Sequence, residues 1–484
     1  MTLKRTGILL TPDITRVLLR PFYPQSDERV RKILKRVVAI PEQQVQTLLG
    51  DVRKDFCSRH HRLEAYLMTR YLHVRKHLPK SAGTLTDNRK LLIGAYFTQE
   101  YSFEAAALFN PSIVWHPDQS GLVSGTKRFI LSMRSTGEGH ISSICFQSGT
   151  INAKNQIRMD PDHKFAVVGE LVPDAYYDRH LFTWKLKEIG ITSSAIDEVF
   201  QGLGEKFTIH ELDARLEIVS EHHKTFEDHE HVFDRTCDHI MSLAQSNYEV
   251  FFRADRPLSE RVLFPTTPNE RNGMEDARFV QFTELDTVRY YATYTAYNGL
   301  TTVPQMIETE DFLRFNISTL NGTEILNKGM ALFPRKIGGK YAMLSRQDNE
   351  NIYLMLSDHP HFWMSKELLI SPKEPWEFVQ MGNCGSPIET DRGWLVLSHG
   401  VGPMRQYSIS AFLLDLDDPR KIIGRLKEPL LKAEGDERNG YVPNVVYSCG
   451  SVVHGDSLIL PYAVSDYATS FAVGSVSEIL HAMV

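Results

Sequence analysis

Residues 110–146 read NPSIVWHPDQSGLVSGTKRFILSMRSTGEGHISSICF. Three short apolar runs, SIVW, RFILSM and ISSICF, are broken by segments rich in Pro, Asp, Ser and Gly, so the stretch reads strand, turn, strand, turn, strand. The texture begins near Leu91, stops near Pro173 and resumes at YEVFF (248–252). From there it runs to the end of the chain, most clearly in KYAMLSR (340–346), NIYLMLS (351–357), GWLVLSHG (393–400), SISAFLLDL (408–416) and SLILPYAVSD (457–466). Short strands about ten residues apart are the mark of a sandwich, barrel or propeller. Repetition of the same turn-and-strand pattern across this length favours radially repeated four-stranded units, so the fold class is mainly β.

Two segments break the pattern. Between Glu28 and Lys76 apolar residues recur at helical spacing, at Val30, Ile33, Leu34 and Val37, and after Pro41 at Val45, Leu48, Leu49, Val52 and Phe56. From Asp174 to Ser246 the helical period returns with high charge and a histidine-rich run, EHHKTFEDHEHVFD. The chain therefore divides into a largely helical segment 1–90, a first β part 91–173, a helical insertion 174–246 and the remaining β body 247–484.

At 484 residues the chain exceeds one ordinary core. Its 54 basic and 60 acidic residues give a net charge of −6, which offers no broad basic surface to nucleic acid and no polybasic patch to a membrane. The cysteines, Cys57, Cys145, Cys237, Cys384 and Cys449, are scattered without a CxxC pair, as suits a reducing compartment. No signal-peptide pattern and no long apolar run is present, so the expected location is cytoplasmic.

Candidate chemistry lies at strand ends, where a repeated β architecture gathers polar residues. ERNGMEDARFVQF places Glu275, Asp276 and Arg278 just before an apolar strand, and a carboxylate oriented by a guanidinium suits a proton donor in glycosyl transfer. The plain alternative is a solvated turn with a local ion pair. Lys328 stands at the mouth of one strand, Arg346 at the end of the next, and His399 where GWLVLSH gives way to glycine. Converging, they would form an anion site, with arginine supplying a planar fork and lysine a point charge. Each alone would be an ordinary exposed strand end. An HExxH zinc motif starting at His229 and Glu230 fails because Phe233 holds the second histidine's position, which leaves His222, His223, Asp228, His229 and His231 without ligand spacing; no metal and no organic cofactor is expected. A phosphate loop and a nucleophile elbow are also lacking.

GMEDAR (273–278), NKGMALFPRKIGGKYAMLSR (327–346), GNCGSPIETDRGWLVLSHGV (382–401), SAFLLDLDDPRKIIGR (410–425) and GYVPNVVYSCG (440–450), in this order, resemble glycoside hydrolase family 130, the β-mannoside phosphorylases and β-1,2-mannosidases. The resemblance covers roughly residues 100–150 and 246–480 and implies a five-bladed β-propeller acting on mannosides, here an extended branch with added helices. By motif it makes Asp276 the general acid, its proton passing through the mannose 3-hydroxyl. It places Lys328, Arg346 and His399 at the phosphate, and His140 where many phosphorylases of the family carry an arginine. Asn110, Arg134, Glu275, Arg278 and Asp466 fall at the sugar cleft.

The activity implied is inverting phosphorolysis of a β-mannosidic bond, β-1,2-linked in the first instance, with inorganic phosphate as co-substrate and α-mannose 1-phosphate as product. An inverting hydrolase needs a base for water, whereas phosphate is already an anion and needs a cationic cradle. Two alternatives stay open: a β-1,2-mannosidase in which Glu389 or Glu437 activates water, and a non-catalytic glycan-binding propeller. The helical segments offer surfaces for a homo-oligomer or for bracing the body's own rim.

Overall fold

A computed structural model describes residues 3–161, 163–172, 176–188, 194–223 and 230–484, without the side chains of residues 194, 195, 222, 223, 230–235 and 239. The histidine-rich run, including His222, His223, Asp228, His229 and His231, falls outside the described residues or side chains.

The β body consists of antiparallel meanders following one another along the chain. The first is Ala107–Trp115, Lys127–Thr136 and Ser142–Ile151; the second is Gly273–Glu284, Thr287–Tyr297, Thr302–Thr309 and Arg314–Thr319. These two are continuous in one twelve-stranded sheet, but among the described residues the only ladder pairing directly between them is one parallel pair, Gly273 with Ser142. The third, Ala331–Leu332, Tyr341–Ser345, Ile352–Ser357 and Glu367–Ile370, is a separate four-stranded sheet. The fourth, Gln380–Asn383, Gly393–Val401, Tyr407–Leu414 and Ile422–Arg425, is the path of a six-stranded sheet. The fifth takes Val446–Tyr447, Ser457–Val464 and Ala468–Ser475 from the end of the chain and Lys4–Leu10 from its beginning. Lys4–Leu10 is thus a strand inside the stretch read as helical.

Apolar clusters fill the spaces between neighbouring meanders. Phe146, Phe279, Phe312 and Phe315 join the first to the second, and Phe282, Met306, Leu332 and Met343 the second to the third. Phe333, Leu344, Trp394 and Phe412 join the third to the fourth. Leu397, Ile409, Leu458 and Leu460 join the fourth to the fifth, and Phe129, Leu131, Ile459 and Phe471 the fifth to the first. Burying each such side chain stabilises by about 1.5–3 kcal/mol. Every meander therefore depends on two neighbours.

The N-terminal helices form as their sequence dictates. Ser26 caps Asp27–Ala39 by accepting from the Arg29 N–H at 3.3 Å, Val30, Leu34 and Val37 turn inward, and the helix ends before Pro41. The helices meet the body through His61, whose Nε2 lies 3.0 Å from Glu260 Oε2. The insertion has its own core, with Phe182, Leu186, Phe207 and Ile240 at its centre. It leans on the body through Trp184 stacked on Phe362 at 4.6 Å and the Gly322 N–H donating to Glu188 at 2.8 Å. No helix of the described residues is long and apolar enough to cross a membrane.

Candidate active site

Two β-bulges build the centre of the site. The pairing of Ala107–Trp115 shifts register between Phe109 and Ser112, and that of Gly273–Glu284 between Glu275 and Arg278. A bulge bends its strand and re-aims a side chain. Asn110 and Asp276 sit in these bulges with φ of +49° and +55°, a left-handed backbone uncommon outside glycine. The result is contact: Asn110 Nδ2 donates to Asp276 Oδ1 at 2.6 Å.

Arg134 completes the cluster from the adjacent strand. Its Nη1 donates to Asp276 Oδ1 at 3.3 Å, its Nη2 to Glu275 Oε1 at 2.8 Å and its Nε to Ser142 Oγ at 2.9 Å. Asp466 occupies the tip of the hairpin joining Ser457–Val464 to Ala468–Ser475, with φ of +51°. Burial and the charge of Asp276 push its carboxyl up to about 6. Burial alone would raise Asp276 too, but Arg134, Arg278 and Lys328, with the Asn110 hydrogen bond, more than offset it and hold that carboxyl well below the ordinary carboxylate range.

Lys328, Arg346 and His399 meet beside this cluster. Lys328 rides on a loop between Asn327 (φ +66°) and Gly329 (φ +86°), and a Cβ at Gly329 would lie 2.3 Å from Arg346 Nε. Glycine here lets the guanidinium approach. A Cβ at Gly382 would meet both His399 Cε1, at 2.5 Å, and Arg346 Cδ, at 2.9 Å, so a second glycine seats the pair. Lys328 makes no ion pair among the described residues, yet its charge bears on Asp276, Asp466 and His399. Arg346 Nε, His399 Nε2 and both amide atoms of Asn383 are buried without a hydrogen-bond partner among the described residues. Such unsatisfied atoms are rare in proteins, so their concentration beside Lys328 singles this cluster out as a candidate site.

Three sequence expectations change here. His399 is held neutral, because burial and the neighbouring Arg346 and Arg278 push its pKa well below the ordinary value, so it brings a ring nitrogen rather than a positive charge. Arg278 does not face a sugar: it is fully buried, donating to the Asp276 carbonyl at 2.9 Å and to the Tyr447 hydroxyl at 2.7 Å, and so fixes the bulge. His140 is exposed on a loop, where its contacts among the described residues are with Tyr441, its Nδ1 3.3 Å from that hydroxyl, and not with Lys328 or Arg346. Residues passed over in the sequence include Tyr447 and Tyr407, whose rings lie 4.8 and 5.8 Å from that of His399, and Asn383. Tyr447 and Asn383 stand inside quoted motifs, but nothing in their spacing marked them.

The two glutamates considered as bases are elsewhere or engaged. Glu389 pairs with Arg335 at 2.8 and 2.6 Å in a cleft lined by Trp115, Gln281 and Thr283. Gln281 is five residues along the strand from Asp276, roughly 16 Å at about 3.3 Å per residue. Glu437 accepts from Arg5 at 2.8 Å and from the Tyr462 hydroxyl at 2.6 Å.

Residues 236–484 match the family model described as beta-1,4-mannooligosaccharide phosphorylase. A 1,2-beta-oligomannan phosphorylase of Thermoanaerobacter sp. (strain X514) is 34% identical over 241 residues, 47% of this chain and 76% of that protein. A beta-1,2-mannobiose phosphorylase of the same organism is 37% identical over 237 residues, 46% of this chain and 72% of its own. Among solved structures, the beta-1,2-mannobiose phosphorylase from Listeria innocua in complex with beta-1,2-mannobiose aligns with 78% of this chain and 92% of its own at 23% identity, with a TM-score of 0.47. The chain belongs to glycoside hydrolase family 130 and is an enzyme of carbohydrate metabolism.

Proposed function

We propose that this enzyme is an inverting β-mannoside phosphorylase, acting on β-1,2-linked manno-oligosaccharides, on a five-bladed β-propeller in the cytoplasm. The propeller reading rests on the five meanders and on the apolar clusters that join each to the next and the fifth back to the first. The β-1,2 linkage rests on the relatives at 34% and 37% identity, against 31% for a beta-1,4-mannooligosaccharide phosphorylase of Ruminococcus albus. Cys57, Cys384 and Cys449 lie outside any disulfide, which suits a reducing compartment.

The observation that carries phosphorolysis over hydrolysis is the company Asp276 keeps: cations beside it, and neither candidate glutamate free to activate water. Mannose would lie over Asn110, Arg134, Asp276 and Asp466, with Glu275 holding Arg134. Hydrogen phosphate would be met by Lys328, Arg346 and a neutral His399. Its two negative charges offset the cations that keep Asp276 ionised and so raise the carboxyl toward the range of a proton donor. Phosphate oxygen forms the bond to the anomeric carbon as the glycosidic bond breaks on the opposite side. The leaving oxygen takes a proton relayed from Asp276 through the mannose 3-hydroxyl, and the proton carried in by hydrogen phosphate replaces it. The products are α-mannose 1-phosphate and the shortened saccharide.

The test is incubation with β-1,2-mannobiose, with and without inorganic phosphate, assaying mannose 1-phosphate and mannose separately. Phosphate-dependent mannose 1-phosphate is expected, and Lys328→Ala or Arg346→Ala should raise the KM for phosphate by about tenfold or more. Free mannose independent of phosphate would overturn the reading and make Asp466 the carboxylate to examine as base.

A further inference from the structure

A cleft of about 760 Å³ separates the N-terminal helices from the β body and shares no lining residue with the cluster around Asp276. Its volume is that of a small-molecule site. One wall is the strand Val17–Pro21 and the start of the helix Leu63–Val74; the other is formed by residues 166–170, 251–256 and 264–266.

The charges in it are one-sided. Arg20, Arg62, Arg253 and Arg256 line the cleft against a single carboxylate, Glu170, in a chain whose net charge is −6. Arg20 is half-buried and makes no ion pair among the described residues; its guanidinium lies over the Phe264 ring at 4.0 Å, and burial depresses its pKa with no carboxylate to offset this. Arg62 is exposed and likewise makes no ion pair among the described residues. Arg253 and Arg256 share one carboxylate, Asp255, at 3.4 and 3.7 Å. The acids near the two histidines are spent: Glu100 holds His60 and Arg59, and Glu260 holds His61. Unpaired guanidinium groups in a concave wall are suited to a phosphate, which they bind through a planar fork.

Between these cations the walls are apolar, formed among others by Leu18, Tyr66, Val167, Phe251 and Phe264. The flat face of an aromatic ring suits these walls better than a bare sugar ring, whose hydroxyls would lie against apolar side chains on several edges.

We propose that this cleft binds a molecule joining a phosphate group to a flat aromatic ring, of the size of a nucleoside monophosphate. The site is distinct from the cluster around Asp276, though one hydrogen bond runs from its wall toward the strand that carries that residue. Thr266, in the cleft wall, donates its N–H to Glu270 at 3.0 Å, three residues before the strand that carries Asp276.

Adenosine 5′-monophosphate, adenosine, inorganic phosphate and mannose 6-phosphate, each titrated calorimetrically into the full chain, test this. The nucleotide should bind saturably, at least about tenfold tighter than the other three, one decade being about 1.4 kcal/mol. Arg20→Ala should weaken it by about tenfold or more, and Ala65→Trp, an exposed helix position on the cleft wall, should block it. Both variants should keep mannoside turnover, which shows that they fold, and Arg346→Ala should bind the nucleotide as the unaltered chain does. No nucleotide binding at millimolar concentration, tighter binding of mannose 6-phosphate, or binding that survives Ala65→Trp and is lost in Arg346→Ala would each overturn the proposal.

Discussion

Asp276 and Asp466 carry the same carboxyl group into the same cleft, and their surroundings drive them in opposite directions. Asp276 has the guanidinium of Arg134 and the amide of Asn110 against one oxygen, whereas Asp466 has burial and the charge of Asp276 and is pushed up to about 6. Environments that push apart the pKa values of two similar groups are how acid and base roles are divided. Asp276→Asn keeps the shape and removes the proton, so turnover with β-1,2-mannobiose should fall by about 10²–10⁴ while mannoside binding persists. Equal turnover would remove this residue from the chemistry. Asp466 makes a prediction about stability. Because its folded pKa lies above the unfolded value of about 3.9, its favourable contribution is complete below about pH 4 and is lost as pH rises through about 6. Asp466→Asn should therefore leave stability unchanged near pH 4 and raise it by about 1–2 kcal/mol at pH 7.5, a figure reduced for partial exposure. Denaturant titrations at the two pH values read the difference, and a gain at pH 4 or a loss at pH 7.5 would contradict the assignment.

At the scale of elements, the site depends on two bulges and on glycines that let side chains crowd. Gly382 has no backbone strain to relieve, so Gly382→Ala tests crowding alone: its methyl would press on His399 and Arg346. The expected outcome is a KM for phosphate raised by about tenfold with little change in the KM for the mannoside, measured against an unaltered circular dichroism spectrum. These devices also mark where the sequence stops being readable. Strands such as GWLVLSHGV and KYAMLS could be found because alternation and flanking turns write themselves into hydropathy. A bulge adds one residue without changing that texture, so nothing in LFNPSIV or GMEDAR announced that Asn110 and Asp276 would meet. The motif resemblance singled out these two residues where periodicity had no signal. It could not show that Arg278 would turn inward to Tyr447 or that His399 would lose its charge, since both follow from burial and from neighbours distant in the chain. The strand Lys4–Leu10 was missed for a related reason. It is an edge strand with no fully buried residue, and half-exposed edges carry little hydrophobic pattern.

That edge strand decides how the whole molecule is held together. The fifth meander takes its outer strand from the other end of the chain, through Lys4 with Val473, Arg5 with Ala472, Leu9 with Ser470 and Leu10 with Thr469. Leu3 plugs the core shared with the fourth meander, and a Cβ at Gly474 would lie 2.4 Å from its Cδ2. Arg5 reaches Glu437, whose carbonyl accepts from the Ser465 hydroxyl at 2.6 Å, next to Asp466 in the site. Removing residues 1–12 should thus act at both levels. Loss of Leu3 burial and of the strand pairing should destabilise the chain by about 2–4 kcal/mol, and release of Glu437 should loosen the rim and lower turnover. Arg5→Ala separates the two effects, because it keeps the strand and Leu3 while breaking the ion pair: its stability loss should be about 1 kcal/mol or less, with the fall in turnover retained. If the truncated chain melted with the full one, the first strand would be an ornament on the last sheet, and the meanders would be held by their apolar clusters alone.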